Sequence, residues 1–164
     1  MQYRIGVIGQ DGEISGRIRE ISERIGRDIA RNNSILICGG KGGVMESACR
    51  GAKSSGGITV GILPSLDKKD ANPCVDIPPT TGLGYARNSL VVSCSDVIIA
   101  IGGRVGTLSE IGLALSYGKP VVIVKDTGGI SEFIKEKLRD IEMKGKIYES
   151  GFRDAVRIAI NLIL

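Results

Sequence analysis

The sequence contains no histidine and no tryptophan. Without an imidazole, neither a Ser-His-Asp nor a Cys-His catalytic arrangement can be built, and the commonest metal ligand is missing. Any proton transfer must run through Asp, Glu, Lys, Tyr or Cys. Aromatic residues make up only 4% of the chain, too few to supply the platforms on which single-stranded nucleic acids stack. The formal charge of +4 is mild and its Lys and Arg are scattered, which disfavours a nucleic-acid partner and suits a small anion. No stretch approaches the roughly 18 uninterrupted apolar residues of a membrane span. No signal-peptide pattern is visible either, so a soluble, cytoplasmic protein without a membrane partner is expected. Cys38, Cys49, Cys74 and Cys94 form no C-x-x-C pair. That spacing argues against a zinc cluster or a disulfide framework and for reduced, structural thiols. No metal site and no cofactor are expected.

What is plentiful is glycine. The 164 residues include 24 glycines, about twice average usage, with no collagen-like period. They cluster at the ends of apolar runs. Tyr3–Ile8 reads as a strand and runs into Gly9-Gln-Asp-Gly12. Ile14, Ile18, Ile21, Ile25 and Ile29 then recur at spacings of four and three, one face of a helix that Asn32-Asn33 ends. Ser34–Cys38, Ile58–Leu63, Val97–Ile101 and Val121–Val124 are short apolar runs, as in strands buried on both faces. Helices are expected after each: from Gly43 to about Ser55, Gly84 to Ser93, Gly106 to Tyr117, and from about Ile130. Gly118-Lys-Pro120 is a helix stop. Pro64, Pro73, Pro78 and Pro79 stud a long loop reaching residue 82, with a short strand expected near Val75–Ile77. A strand near Ile147 and an amphipathic helix from Phe152 to Leu164 close the chain. This alternation predicts a single α/β domain over residues 1–164: Rossmann-like and doubly wound, with a mainly parallel sheet flanked by helices.

In such sheets the ligand binds beyond the C-terminal strand ends. Two turns there join a buried strand to a helix through several glycines, Gly39–Gly43 and Gly102–Thr107. One such turn needs no more explanation than tight geometry, but two on the same edge point to backbone amides and helix N-termini gripping a phosphate. Neither is a P-loop, and Gly6-x-x-Gly9-x-x-Gly12 is not the dinucleotide fingerprint. Thr107 and Glu110 fit the S/T-x-x-E capping box, and Glu110 equally fits a catalytic carboxylate; spacing does not choose between them. Arg87, behind the long loop, reads by itself as a solvated surface charge.

Taken together these segments resemble the LOG (Lonely Guy) family of phosphoribohydrolases, which cleave nucleoside 5′-monophosphates to free base and ribose 5-phosphate. Gly39-Gly40-Lys-Gly-Gly43-Val-Met45, continuing to Gly51-Ala52, is similar to the first glycine motif of the family. Gly102-Gly103-Arg104-Val-Gly106-Thr107-Leu-Ser-Glu110 is similar to its P-G-G-x-G-T-x-x-E motif, and the arginine of its R-K pair falls on Arg87. The family's older label, lysine decarboxylase, finds no support in any cofactor-binding lysine here. Three departures stand out: Ile101 replaces the motif proline, one extra residue precedes Gly106, and Asn88 replaces the R-K lysine. These variants look closer to a branch related to the molybdenum-cofactor carrier proteins and, more distantly, to DprA. The resemblance implies catalytic roles for Glu110 and Arg87. It also implies phosphate or nucleotide binding by Gly39, Gly40, Gly43, Met45, Gly102, Gly103, Arg104, Gly106 and Thr107. The alternative it implies is a carrier of a phosphorylated pterin or nucleotide. A homodimer or a dimer-based oligomer is expected, because Leu90, Val91 and Val92 with Ile111, Leu113, Ala114 and Leu115 exceed what one sheet face needs, and the resemblance implies dimers through this region.

Overall fold

The run Val-Ile-Ile-Ala-Ile at 97–101 is buried at every position. A β-branched strand with no solvent face requires helices on both sides of its sheet, and the chain supplies them. The computed structural model describes residues 2–138 and 143–164. The strands are β1 (Arg4–Gly9), β2 (Ile35–Cys38), β3 (Thr59–Gly61), β4 (Val97–Ile101), β5 (Val121–Val124) and β6 (Ile147–Ser150). All pair in parallel, in the order β3-β2-β1-β4-β5-β6. Ile5 lies opposite Leu36 on one side and Val97 on the other, which fixes the central register.

The helices are α1 (Gly16–Arg31), α2 (Gly43–Lys53), α3 (Asn88–Ser93), α4 (Val105–Ser116), α5 (Gly129–Lys137) and α6 (Ala155–Asn161). Alternation along β4 divides the core. Val97, Ile99 and Ile101 face α1, α2 and α6, through Ile21, Ile25, Ala48 and Ala159 among others. Ile98 and Ala100 face α3 and α4, through Val91, Val92, Ile111, Ala114 and Leu115. Ser15 caps α1, its Oγ accepting from the Ile18 amide at 3.2 Å, a bond of the kind that holds a helix start in place. Among the described residues no helix is long and apolar enough to cross a membrane.

The structure departs from the sequence expectations in places that have physical causes. The strand expected near Val75–Ile77 is not in the sheet. The loop meets β3 and the residues after it through isolated bridges, Val60 to Ile77 and Leu63 to Thr80, and through hydrogen bonds between Thr59 and Asp76. Its carbonyls accept, from the Gly61 amide at Ile77 and from the Leu63 amide at Pro79, but Pro78 and Pro79 have no N–H to continue a ladder. The helix expected over 84–93 is a 3₁₀ turn, Gly84–Arg87, followed by the short α3. The last helix is shorter than Phe152–Leu164, running Ala155–Asn161. The apolar side chains offered as a surplus are not one: Val91, Val92, Ile111, Ala114 and Leu115 belong to the core. The large exposed apolar residues of this region are instead Leu83, Tyr85 (88% exposed) and Val105 (77% exposed).

Candidate functional site

In the strand order, neighbours run toward β3 on one side of β1 and toward β6 on the other, starting with β4. The loops leaving β1 and β4 therefore diverge, and a crevice opens between them at the C-terminal edge. Two adjoining cavities occupy it. The smaller, about 240 Å³, is lined by Gly9, Gln10, Asp11, Met45, Tyr85, Arg87, Asn88, Arg104, Gly106, Thr107 and Glu110. The larger, about 430 Å³, lies beyond Gly102 and Gly103 and also borders Gln10.

The β4–α4 turn is built for an exposed helix start. Gly102 and Gly103 take positive φ, 55° and 95°, a conformation that side chains with a Cβ resist. The Gly102 amide donates to Thr127 Oγ1 at 3.0 Å, and the Gly102 and Gly103 carbonyls accept from the Ser131 and Ile130 amides, which ties the turn to α5. α4 begins at Val105 with Arg104 as N-cap and no side-chain cap. Thr107 thus sits inside the first turn and Glu110 in the second, so the capping box is not formed. The first backbone bond into the helix runs from the Leu108 amide to the Arg104 carbonyl at 3.0 Å. The amides of Val105, Gly106 and Thr107 precede that bond, as at any helix start, and Gly106 and Thr107 line the smaller cavity. Such a group of amides at the positive end of a helix can take an anion.

The first glycine turn does different work. Its Gly42 amide donates to Asp11 Oδ1 at 2.9 Å, its Val44 amide to the Gln10 carbonyl at 2.9 Å, and its Gly40 amide to Cys38 Sγ at 3.3 Å. Asp11 Oδ1 also accepts from the Gly12 amide at 2.8 Å, so one carboxylate clasps both loops. Gly40 and Gly43 line neither of these two cavities, and the turn holds the β1–α1 loop in place. Gly39 bears on the site from beneath. Its carbonyl accepts from Arg87 Nη2 at 3.3 Å, and a Cβ there would stand 2.5 Å from that nitrogen. Gly39→Ala is therefore expected to displace the Arg87 guanidinium, at a cost of up to about 1 kcal/mol, read as a lower urea midpoint; an unchanged midpoint would mean that the arginine shifts without cost.

Arg87 is not a surface charge. It is only 9% exposed, delivered by the 3₁₀ turn into the space between β2 and α4. Nη1 stands 4.0 Å from Glu110 Oε1 and also donates to Asn88 Oδ1, while Nε is buried with no partner. Asn88 in turn donates from Nδ2 to Ser109 Oγ at 2.9 Å, fastening the arginine to α4. Glu110 is 7% exposed, and this burial pushes its carboxyl up to about 7, against the opposing pull of Arg87. A carboxyl poised near neutrality beside a buried cation is the kind of group that catalytic sites contain and surfaces do not. Below, Cys38 and Cys49 are buried free thiols whose sulfurs share a hydrogen bond at 3.6 Å. That bond to Cys38, and then burial, push the Cys49 thiol up, so it stays protonated. Among the described residues there is no group of three or more His, Cys, Asp or Glu side chains placed to hold a metal.

Of the residues singled out from the sequence, Met45, Arg87, Arg104, Gly106, Thr107 and Glu110 share the smaller cavity, and Gly102 and Gly103 line the larger. Sequence reasoning missed Gly9, Gln10, Asp11 and Tyr85, whose only signal was position, in the loop after β1 and in the segment leading to Arg87; Asn88 was noted only as a departure from the R-K pair.

An all-parallel, doubly wound sheet with a crevice at its switch point defines a Rossmann-like α/β protein. The chain belongs to the SLOG cluster4 family, whose model matches residues 2–151. It is similar to an uncharacterized protein of Archaeoglobus fulgidus, 48% identical over 123 residues, 74% of this chain and 80% of that one. It is also similar to a cytokinin riboside 5′-monophosphate phosphoribohydrolase of Rhodococcoides fascians, 28% identical over 134 residues, which are 75% of this chain and 65% of the enzyme. Among solved structures, the molybdenum cofactor binding protein from Rippkaea orientalis superposes with a TM-score of 0.89 at 34% identity, over 100% of this chain and 99% of that one. The resemblance to the LOG family and its cofactor-carrier branch, drawn from three motifs, agrees with these relatives.

Proposed function

We propose that the protein is a nucleoside 5′-monophosphate phosphoribohydrolase. The observation that carries this reading is the buried Glu110–Arg87 pair, 4.0 Å apart beside free helix amides. The phosphate rests against the Val105–Thr107 amides, with Arg104 at the rim. The bond between ribose C1′ and the base nitrogen breaks, and its electron pair leaves with the base. Positive charge then grows on the ribose ring, and the ionised Glu110 stabilises it. Water adds at C1′, and its proton passes to the departing base, which gives free base and ribose 5-phosphate. Arg87 favours the charged form of Glu110 and fixes its orientation through Gly39 and Asn88. The scheme calls for no metal or cofactor. Relatives named as phosphoribohydrolases support it. Incubation with a panel of nucleoside 5′-monophosphates, followed by chromatography for free base, tests it.

The 34% identity to a molybdenum cofactor binding protein supports a second reading, a non-catalytic carrier. There the same amides hold a phosphorylated pterin or nucleotide, and the protein releases it unchanged. Tight binding without base release marks that case.

In either case the same reading includes a cytoplasmic homodimer, with Leu83, Tyr85 and Val105 as the face a second copy covers. Light scattering at micromolar concentration should give twice the chain mass of 17.3 kDa or an even multiple of it. A strictly monomeric mass would sink the dimer.

A further inference from the structure

The larger cavity has no role in the proposed cleavage, yet it borders the same turn. Its apolar lining is Ile14, just before the cap of α1, and Ile18 on α1, with the fully buried Val44 and Ile101. Glu13 and Ser15 also line it, and since the Ser15 hydroxyl already accepts from the Ile18 amide, the Glu13 carboxylate is the acceptor on this side. At about 430 Å³ it is larger than the cavity that holds Glu110, at about 240 Å³. The two meet at Gln10 and along one stretch of chain, Gly102 and Gly103 lining one and Arg104, Gly106 and Thr107 the other. The amides assigned to phosphate therefore begin where the two spaces join. A monophosphate with its ribose toward Glu110 would leave the larger space unused.

We infer that the larger cavity is a second subsite for a flat heterocycle with N–H donors, joined through a diphosphate to the part of the ligand that faces Glu110. The ligand class is a nucleoside diphosphate conjugate, with one half on each side of the Gly102–Thr107 turn. Ile14 and Ile18 take the ring face, while Glu13 takes its donors. This inference rests on the phosphate placement proposed above and extends it to a second half of the ligand.

Calorimetry with AMP and with diadenosine 5′,5′-pyrophosphate tests it on the whole chain, with the guanosine pair run alongside. The pyrophosphate is expected to bind about tenfold or more tightly than the monophosphate, because its second half adds contacts at no further cost of association. Ile18→Trp fills the cavity and should bring the affinity ratio of the two probes close to one. Should that variant fail to fold by circular dichroism, Glu13→Ala removes an exposed acceptor, and the same ratio is expected to fall. A wild-type ratio near one for both base pairs overturns the second subsite and leaves the monophosphate reading standing. A pyrophosphate-bound protein that releases base from no monophosphate keeps the subsite and overturns the hydrolase. Binding of none of the four nucleotides overturns both.

Discussion

Glu110→Gln is expected to fold like the wild type and to release base at least about a hundredfold more slowly, the scale of loss when one preorganised electrostatic group is removed. The amide keeps the shape and the α4 position of the carboxyl, so packing is spared and only charge is lost. The same residue sets two pH dependences. Its carboxyl is raised from the ordinary 4.5 to about 7 by burial. Turnover should therefore climb as pH rises through about 7 and Glu110 ionises. Stability should run the other way. A folded-state value above the unfolded one means that the fold holds the proton more tightly, so stability is lost as pH climbs from 4.5 through about 7. Across that window wild type should lose about 3 kcal/mol relative to Glu110→Gln, at about 1.4 kcal/mol per pH unit. Urea unfolding of both proteins at pH 5 and pH 8 reads this difference. Parallel stabilities at the two pH values would mean that Glu110 is not desolvated.

Arg87→Ala should suppress base release comparably, by a different route. The guanidinium opposes the burial of Glu110 and is its nearest cation. Without it, the carboxyl is held still further above its ordinary range, and the pH profile of turnover moves to higher pH. A residue that merely filled space would lower stability without moving that profile. Arg87→Lys keeps the charge but lacks the planar fork that reaches both Gly39 and Asn88. It should restore the wild-type profile and only part of the rate. A profile unmoved in Arg87→Ala would show that the 4.0 Å pair does not couple the two charges.

Much of the fold was legible because its signals are local. Val97–Ile101 and Val121–Val124 could only be doubly buried strands, and the isoleucine series of α1 could only face the core. Glycine at strand ends located the crevice for the same reason. What failed was whatever depends on long-range packing. The capping box at Thr107 and Glu110 was a correct spacing on the wrong turn, because the Gly102–Gly103 turn starts α4 earlier, at Val105. Arg87 looked exposed because nothing in its neighbourhood shows that Gly39 lies beneath it, 48 residues earlier in the chain. In the first glycine turn the Gly40, Gly42 and Val44 amides donate to Cys38, Asp11 and Gln10, contacts that no local pattern announces. Asp11 carried no sequence signal, since its partner at Gly42 is brought to it only by the β1–β2 pairing.

The most direct test is single-enzyme-concentration turnover of a nucleoside 5′-monophosphate panel by wild type and Glu110→Gln, with free base and ribose 5-phosphate both quantified. Wild type should release base and sugar phosphate in equal amounts from at least one member, and Glu110→Gln should bind that member yet release almost none. Tight binding of a monophosphate by wild type, with no base released from any of them, would contradict the hydrolase and leave the carrier.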